Sequence, residues 1–340
     1  MEGRGVSGAE REPRRTELGA IGQALAILAD RWVLLILQRA FLLRIRTFAG
    51  WRDALGISES VLAARLRELV GHGVFELSAY RDGRTRHEYR LTERGLRLWT
   101  LLMAIQVWER DWVAPGGLPP LLHERCGRDA EPYLGCGTCL RPMSARDTRT
   151  ENGSPVATAL TGPARRGRAV SRAAASPEAI GSPRLHRRTV RAGAPADPIG
   201  YRQASMEILG DRWSSGVLVG AFLGVRRFVD FQSGLGIAPS VLTDRLRRFV
   251  DLDVFGSRPD GSYRLTDKGL AFFSVFAFLV DWAQRELPVP AGSAFSITHT
   301  FCGTASRPVL LCRACGGPLE RRAVRFVLPA DGAPCGGAPR

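Results

Sequence analysis

Apolar residues recur at helical spacing over residues 17–29 and again over 32–42. A shorter segment around Thr47–Leu55 predicts a third helix, and "GIS" breaks the pattern after it. Ser58 then stands where a hydroxyl can cap a fourth helix by accepting from its free N–H groups. At 100° per residue, Val61, Leu62, Leu66 and Leu69 form one stripe of that helix, and Ser60, Ala64, Arg67 and Gly71 lie opposite. "VFELSAYRDGRTRHEYRLT" alternates about Asp82-Gly83, which predicts a β-hairpin. One long helix from about Glu93 to Trp112 closes the unit.

The unit occurs twice. "ADRWVLLILQRAF" at 29–41 matches "GDRWSSGVLVGAF" at 210–222, "LGISESVLAARLREL" at 55–69 matches "LGIAPSVLTDRLRRF" at 235–249, and "YRLTERGL" at 89–96 matches "YRLTDKGL" at 263–270. Pro239 takes the favoured first helical position in the second copy. Between the copies, residues 144–197 are rich in Ser, Pro, Gly, Ala and Arg without apolar periodicity, which predicts a disordered linker. Its arginines read as a solvated tether, with auxiliary phosphate contact as the other possibility.

Helices followed by a basic hairpin describe a winged helix-turn-helix, whose second helix enters the DNA major groove while the hairpin meets backbone or minor groove. The net charge of +15 suits a polyanionic partner. Arginine dominates the basic residues, since Lys268 is the only lysine, and that bias also fits a GC-rich genome. On the outward helix face Ser58, Ser60 and Arg67 are candidate DNA contacts, with Ser240, Thr243 and Arg247 in the second copy. Asp244 is an awkward neighbour for DNA there. Arg65 and Arg245 flank the apolar stripe and read as structural. The first wing offers Arg81, Arg84 and Arg86 beside His87, whereas the second, six residues shorter, offers Arg258 before its turn.

D-R-W before an apolar helix, L-G-I-S, S-V-L-x-x-R-L-R-x-L and Y-R-L-T-E-R-G together resemble the HxlR-type bacterial transcriptional regulators. The resemblance covers both units. It implies winged helices that dimerise through their first and last helices and control nearby promoters. Two departures stand out: no cysteine precedes Cys126, where many members carry a redox-sensing thiol, and serines stand at 60 and 240, where a basic residue is frequent. The implied dimer is fused into one chain, which predicts a monomeric pseudodimer reading two unlike half-sites.

Behind each unit the spacing H-x2-C-x9-C-x2-C recurs without drift: His123, Cys126, Cys136, Cys139, then His299, Cys302, Cys312, Cys315. Six of the seven cysteines lie in these two windows. One imidazole and three thiolates suit a closed tetrahedral zinc site, so each cluster is expected to hold one structural zinc, about two per chain. Reversible redox or metal sensing, and unligated thiols, are the alternatives. Recurring Trp32/Trp213 and Trp108/Trp282 read as core or interface packing; Trp51, Trp99 and Trp112, particular to the first copy, are candidates for an effector pocket.

The expected fold is mainly α with small β hairpins: two winged helix-turn-helix domains, 17–114 and 198–288, each followed by a small zinc-ribbon-like tail, 115–143 and 289–328. Residues 1–16 and 329–340 are expected to be disordered. No apolar run reaches a membrane span and no secretory signal is evident, so a cytoplasmic, nucleoid-associated location is expected. The expected partner is double-stranded DNA, with an unknown small-molecule effector. The expected function is a sequence-specific DNA-binding regulator of transcription, a repressor, and not an enzyme. The alternative is an effector, metal or redox sensor whose DNA surface has partly decayed.

Overall fold

The computed structural model describes residues 19–82, 84–114, 120–152, 203–289 and 295–327. The first half runs α1 (Ala20–Leu28), α2 (Arg31–Leu42), α3 (Phe48–Leu55), α4 (Glu59–Gly71), β1 (Phe75–Asp82), β2 (Arg84–Leu91), α5 (Glu93–Leu96) and α6 (Trp99–Trp112). Its tail adds β3 (Leu121–His123), β4 (Arg128–Asp129), β5 (Pro132–Cys136) and β6 (Thr148–Asn152). The second half repeats this as α7 (Gln203–Leu209), α8 (Arg212–Phe222), α9 (Phe228–Leu235), α10 (Pro239–Asp251), β7 (Phe255–Ser257), β8 (Tyr263–Leu265), α11 (Asp267–Ala271) and α12 (Phe273–Glu286). Its tail holds β9 (Phe295–His299), β10 (Thr304–Ala305), β11 (Pro308–Cys312) and β12 (Val324–Phe326).

The repeated motifs are helix punctuation. In D-R-W the aspartate caps a helix: Asp30 accepts from the N–H groups of Trp32 and Val33 at 2.9 and 3.1 Å, and Asp211 does the same for Trp213 and Ser214. In Y-R-L-T the threonine caps the next one, Thr92 accepting from Gly95 N–H and Thr266 from Gly269 N–H, both at 3.1 Å. Gly95 and Gly269 permit a close approach, because a Cβ at either would lie 2.2 Å from the carbonyl oxygen of Val74 or Val254. Ser58 does occupy the N-cap position of α4, but its hydroxyl faces Ser60 Oγ at 3.5 Å and makes no capping bond. Pro239 starts α10 as expected.

The long helix expected from Glu93 to Trp112 is two helices. After α5 the chain tightens, with Leu98 N–H donating to Gly95 O at 3.1 Å, and restarts as α6. The break leaves α5 clamped to the wing while α6 turns to meet α12 of the other half.

The halves join through α1, α6 and α12. Two indoles cross reciprocally: Trp108 Nε1 donates to Lys268 O at 3.0 Å and Trp282 Nε1 to Arg94 O at 3.1 Å. Both indoles are buried.

The tails exchange strands between halves. β5 pairs antiparallel with β11, Leu134 facing Leu310, its counterpart in the repeat. β12 of the second half pairs with β3 of the first, and β6 of the first pairs with β9 of the second. The linker expected over 144–197 therefore starts within ordered chain, because Thr148–Asn152 finds a backbone partner at the edge of β9. The rest of that expectation, like residues 1–16 and 329–340, falls outside the described residues. No single helix among the described residues is long and apolar enough to cross a membrane.

Candidate metal centres and nucleic-acid interface

The structure keeps all eight expected ligands and regroups them. His123 and Cys126 converge with Cys312 and Cys315; Cys136 and Cys139 converge with His299 and Cys302. In each group the ligand atoms lie within 4.8 Å of one another. The expectation of one site per sequence cluster is thus overturned. The cause is the strand between the ligand pairs. Five extended residues carry the two pairs of a half about 13–17 Å apart. Antiparallel pairing of β5 with β11 sets Cys136 opposite Pro308 and Cys312 opposite Pro132, so the C-x2-C of each half meets the H-x2-C of the other.

The geometry suits a small tetrahedral cation. A sulfur ligand at about 2.3 Å implies edges of roughly 3.8 Å between sulfurs. Cys136 Sγ and Cys302 Sγ are 3.7 Å apart, Cys139 Sγ is 3.4 Å from His299 Nδ1, and Cys302 Sγ is 3.6 Å from it. In the other group Cys126 Sγ and Cys315 Sγ lie 3.4 and 3.5 Å from His123 Nδ1. The Arg128 backbone N–H holds the Cys126 thiol below its ordinary pKa, and the Thr304 hydroxyl and N–H do so for Cys302. Burial pushes Cys136 up, but the Ser306 hydroxyl and the N–H groups of Cys139 and Thr138 outweigh it and bring that thiol to about 6. One thiol in each group is pushed the other way: against the Arg141 N–H, Cys139 is raised by burial and by its neighbours Cys136 and Cys302, and Cys312 is raised chiefly by burial. The four ligand atoms of each group are close enough together that they could hold a metal ion. Cys335 lies outside the described residues.

The recognition helices α4 and α10 bury Leu62, Leu66, Leu69 and Leu242, Leu246, Phe249, as their spacing predicts. Ser60, Arg67, Ser240, Thr243 and Arg247 are exposed on them, and Ser58 is exposed at the start of α4. Among the described residues Arg67 has no ion-pair or hydrogen-bond partner. Arg247 has one: its Nη2 lies 3.1 Å from Asp244 Oδ1, and Asp244 also draws Arg245 at 2.9 Å and Arg248 at 3.9 Å. Thr243 donates to Pro239 O at 2.9 Å. Arg65 binds the cap Asp30 at 2.7 Å, and Arg245 binds Asp211 at 3.4 Å, consistent with structural roles.

The wings differ in length. β1 and β2 are eight residues each, with Arg86 opposite Tyr80, Arg81 opposite Thr85 and Arg84 opposite Asp82. β7 and β8 are three residues each. Arg258 is exposed at their turn, where its N–H donates to Ser262 O at 2.8 Å.

Of the tryptophans proposed for a pocket, Trp51 is core, fully buried with Nε1 donating to Ile36 O at 3.0 Å. Trp112 lies on the surface. Trp99 lines a cavity of about 520 Å³. Sequence reading missed Gln38 and Gln106 in its wall, although both interrupt apolar helix faces that the second copy fills with Val219 and Val280.

Comparison with known proteins matches residues 27–116 and 208–290 to the HxlR-like helix-turn-helix family. An uncharacterized HTH-type transcriptional regulator of Mycobacterium tuberculosis (strain H37Rv) is 38% identical over 141 residues, covering 41% of this chain and 89% of the relative. A regulator so described from Synechocystis is 34% identical over 94 residues, 27% of this chain and 69% of the relative. Another, from Bacillus subtilis, is 35% identical over 97 residues, 28% of this chain and 89% of the relative.

Proposed function

Because the chain belongs to the HxlR-like helix-turn-helix family, whose relatives are transcriptional regulators and not enzymes, we propose that it represses transcription as a single-chain pseudodimer on an asymmetric operator. The observation that carries this is the pair of winged helices joined within one chain by reciprocal indole bonds, with Arg67 unpaired on the outward face of α4. In this reading Ser58, Ser60 and Arg67 meet the major groove, and Arg81, Arg84 and Arg86 meet the backbone beside it. Ser240, Thr243, Arg247 and Arg258 form a weaker second surface, since Asp244 already neutralises Arg247.

The metal in this reading is zinc, one ion in each mixed group. Four ligands leave no open position for substrate, and three thiolates with one imidazole match zinc's preference. Zinc supplies a crosslink between halves. The neighbouring Arg128 and Arg307 offset the residual negative charge of such sites, whereas Arg125 and Arg313 are paired with Glu320 and Glu131. The protein acts in the cytoplasm, on double-stranded DNA.

Selection of bound fragments from host genomic DNA, followed by footprinting and light scattering, tests the proposal. The expected result is one chain per operator, with two unlike half-sites about 34–36 Å apart. Two chains bound to a perfect palindrome would overturn it, as would failure to enrich any sequence.

A further inference from the structure

The first half carries a cavity of about 520 Å³ between α2, the base of the wing, α6 and β12. That volume lies in the usual range for small-molecule sites. Phe41, Trp99 and Met103 are among its apolar walls. Two buried amides stand among them. Gln106 is 7% exposed, and no described residue hydrogen-bonds it. Gln38 is 3% exposed and accepts from Arg39 Nη1 at 3.3 Å, but its own NH₂ has no acceptor among the described residues. Both side chains line the cavity, where a ligand's polar atoms could meet their amides.

The second half shows what the fold does without such a site. At the matching positions Val219 replaces Gln38, Gly220 replaces Arg39 and Val280 replaces Gln106. Phe222 stacks on Phe276 at 5.0 Å, with Phe273 at 5.8 Å from Phe222 and Phe295 at 5.9 Å from Phe276. Four rings gather at this position. The polar wall of the first half is therefore not required by the fold.

The rim gives the sign of the ligand's charge. Arg46 and Arg90 are occupied by Glu88, at 4.0 and 2.5 Å, and Arg325 faces Glu124 at 3.9 Å. Arg44 and Arg321 have no carboxylate partner among the described residues, and Arg44 is held at φ 54°. A non-glycine residue in that region carries strain that often marks a functional position.

We propose that this cavity binds a flat apolar carboxylate of drug-like size. Its ring lies among Phe41, Trp99 and Met103, the free amides of Gln38 and Gln106 hydrogen-bond its polar atoms, and Arg44 and Arg321 receive its carboxylate. The site also joins the DNA-facing and metal-facing parts of the molecule. Tyr89 at the wing base donates its N–H to Arg46 O at 2.8 Å, and β12 is hydrogen-bonded to the strand that ends in His123. Binding itself does not depend on the regulatory reading.

Titration calorimetry on the full chain tests it with 2-naphthoate as probe and 2-naphthamide as its neutral analogue. One 2-naphthoate per chain is expected, with a dissociation constant below about 1 mM and the amide about tenfold weaker. Gln106→Phe, which removes one amide and puts a ring into the wall, should weaken binding at least about tenfold. Arg321→Gln, a change at the rim that the fold tolerates, should weaken the carboxylate about tenfold and leave the amide unaffected. Absence of binding at a few millimolar overturns the proposal. So does unchanged 2-naphthoate affinity in both variants, or equal affinity for acid and amide.

Discussion

Arg67 and Arg247 occupy the same turn of α4 and α10, yet among the described residues Arg247 has a carboxylate partner and Arg67 has none. One substitution, Ala64 to Asp244 across the repeat, separates them: the carboxylate holds Arg247 at 3.1 Å and draws Arg245 and Arg248 as well. Around α2 and α6 the halves diverge again, with amides lining a cavity in one and packed phenylalanines in the other. Duplication followed by local change thus leaves the shared scaffold intact and differentiates the two surfaces. The caps, the close-packed Gly95 and Gly269 and the interface indoles are common to both copies because they build the fold. Charge and cavity differ because they are free to.

The metal groups offer the sharpest test of how the halves are joined, and the largest effect. Cys126→Ser with Cys312→Ser disables one mixed group and should leave one zinc per chain by elemental analysis. Cys126→Ser with Cys136→Ser touches both groups and should leave none. The reverse pattern would restore one site per sequence cluster. Loss of both ions should also unfold the tails, because binding energy in small metal sites is folding energy.

The recognition helices come next. Arg67→Ala should cost about 1–3 kcal/mol of operator binding, and Arg247→Ala distinctly less. Equal losses in a gel-shift titration would show that Asp244 does not silence its half. Third is a backbone difference. Leu140 follows the first C-x2-C at φ 56°, where the second tail has Gly316 at φ 71°. Leu140→Gly relieves left-handed strain and should stabilise the zinc-loaded protein by about 1 kcal/mol. A lower melting temperature in the variant would mean that the Leu140 side chain contributes packing that outweighs the strain. The smallest effect belongs to Asp244→Ala, which copies the first helix. It should tighten DNA binding by roughly 0.5 kcal/mol, more at low salt. Weaker binding would instead assign Asp244 a contact of its own, such as an acceptor for cytosine.

Much of this was legible in one dimension. The apolar stripe Leu62, Leu66, Leu69 fixes α4, and Asp30, Thr92 and Pro239 mark helix starts through local bonds or fixed φ. Such signals act over four residues or fewer, so sequence carries them. The break between α5 and α6 was not visible, because it depends on Gly95 lying against the carbonyl of Val74 and on α6 turning to a distant helix. The order of Thr148–Asn152 was hidden for the same reason. Its polar residues have no periodicity of their own, and β9 supplies the pairing. The cavity left a faint trace in Gln38 and Gln106, which interrupt apolar faces only in the first copy.

By itself the sequence determined two winged-helix units, their shared punctuation and the eight candidate metal-ligating side chains. The partnering of those ligands belonged to the tertiary structure. Either grouping gives one histidine and three cysteines per site, with the same spacing within each pair, so no local signal separates them. The extended strand between the pairs moves the ligands of one half apart, and antiparallel pairing of β5 with β11 brings each pair to its complement from the other half.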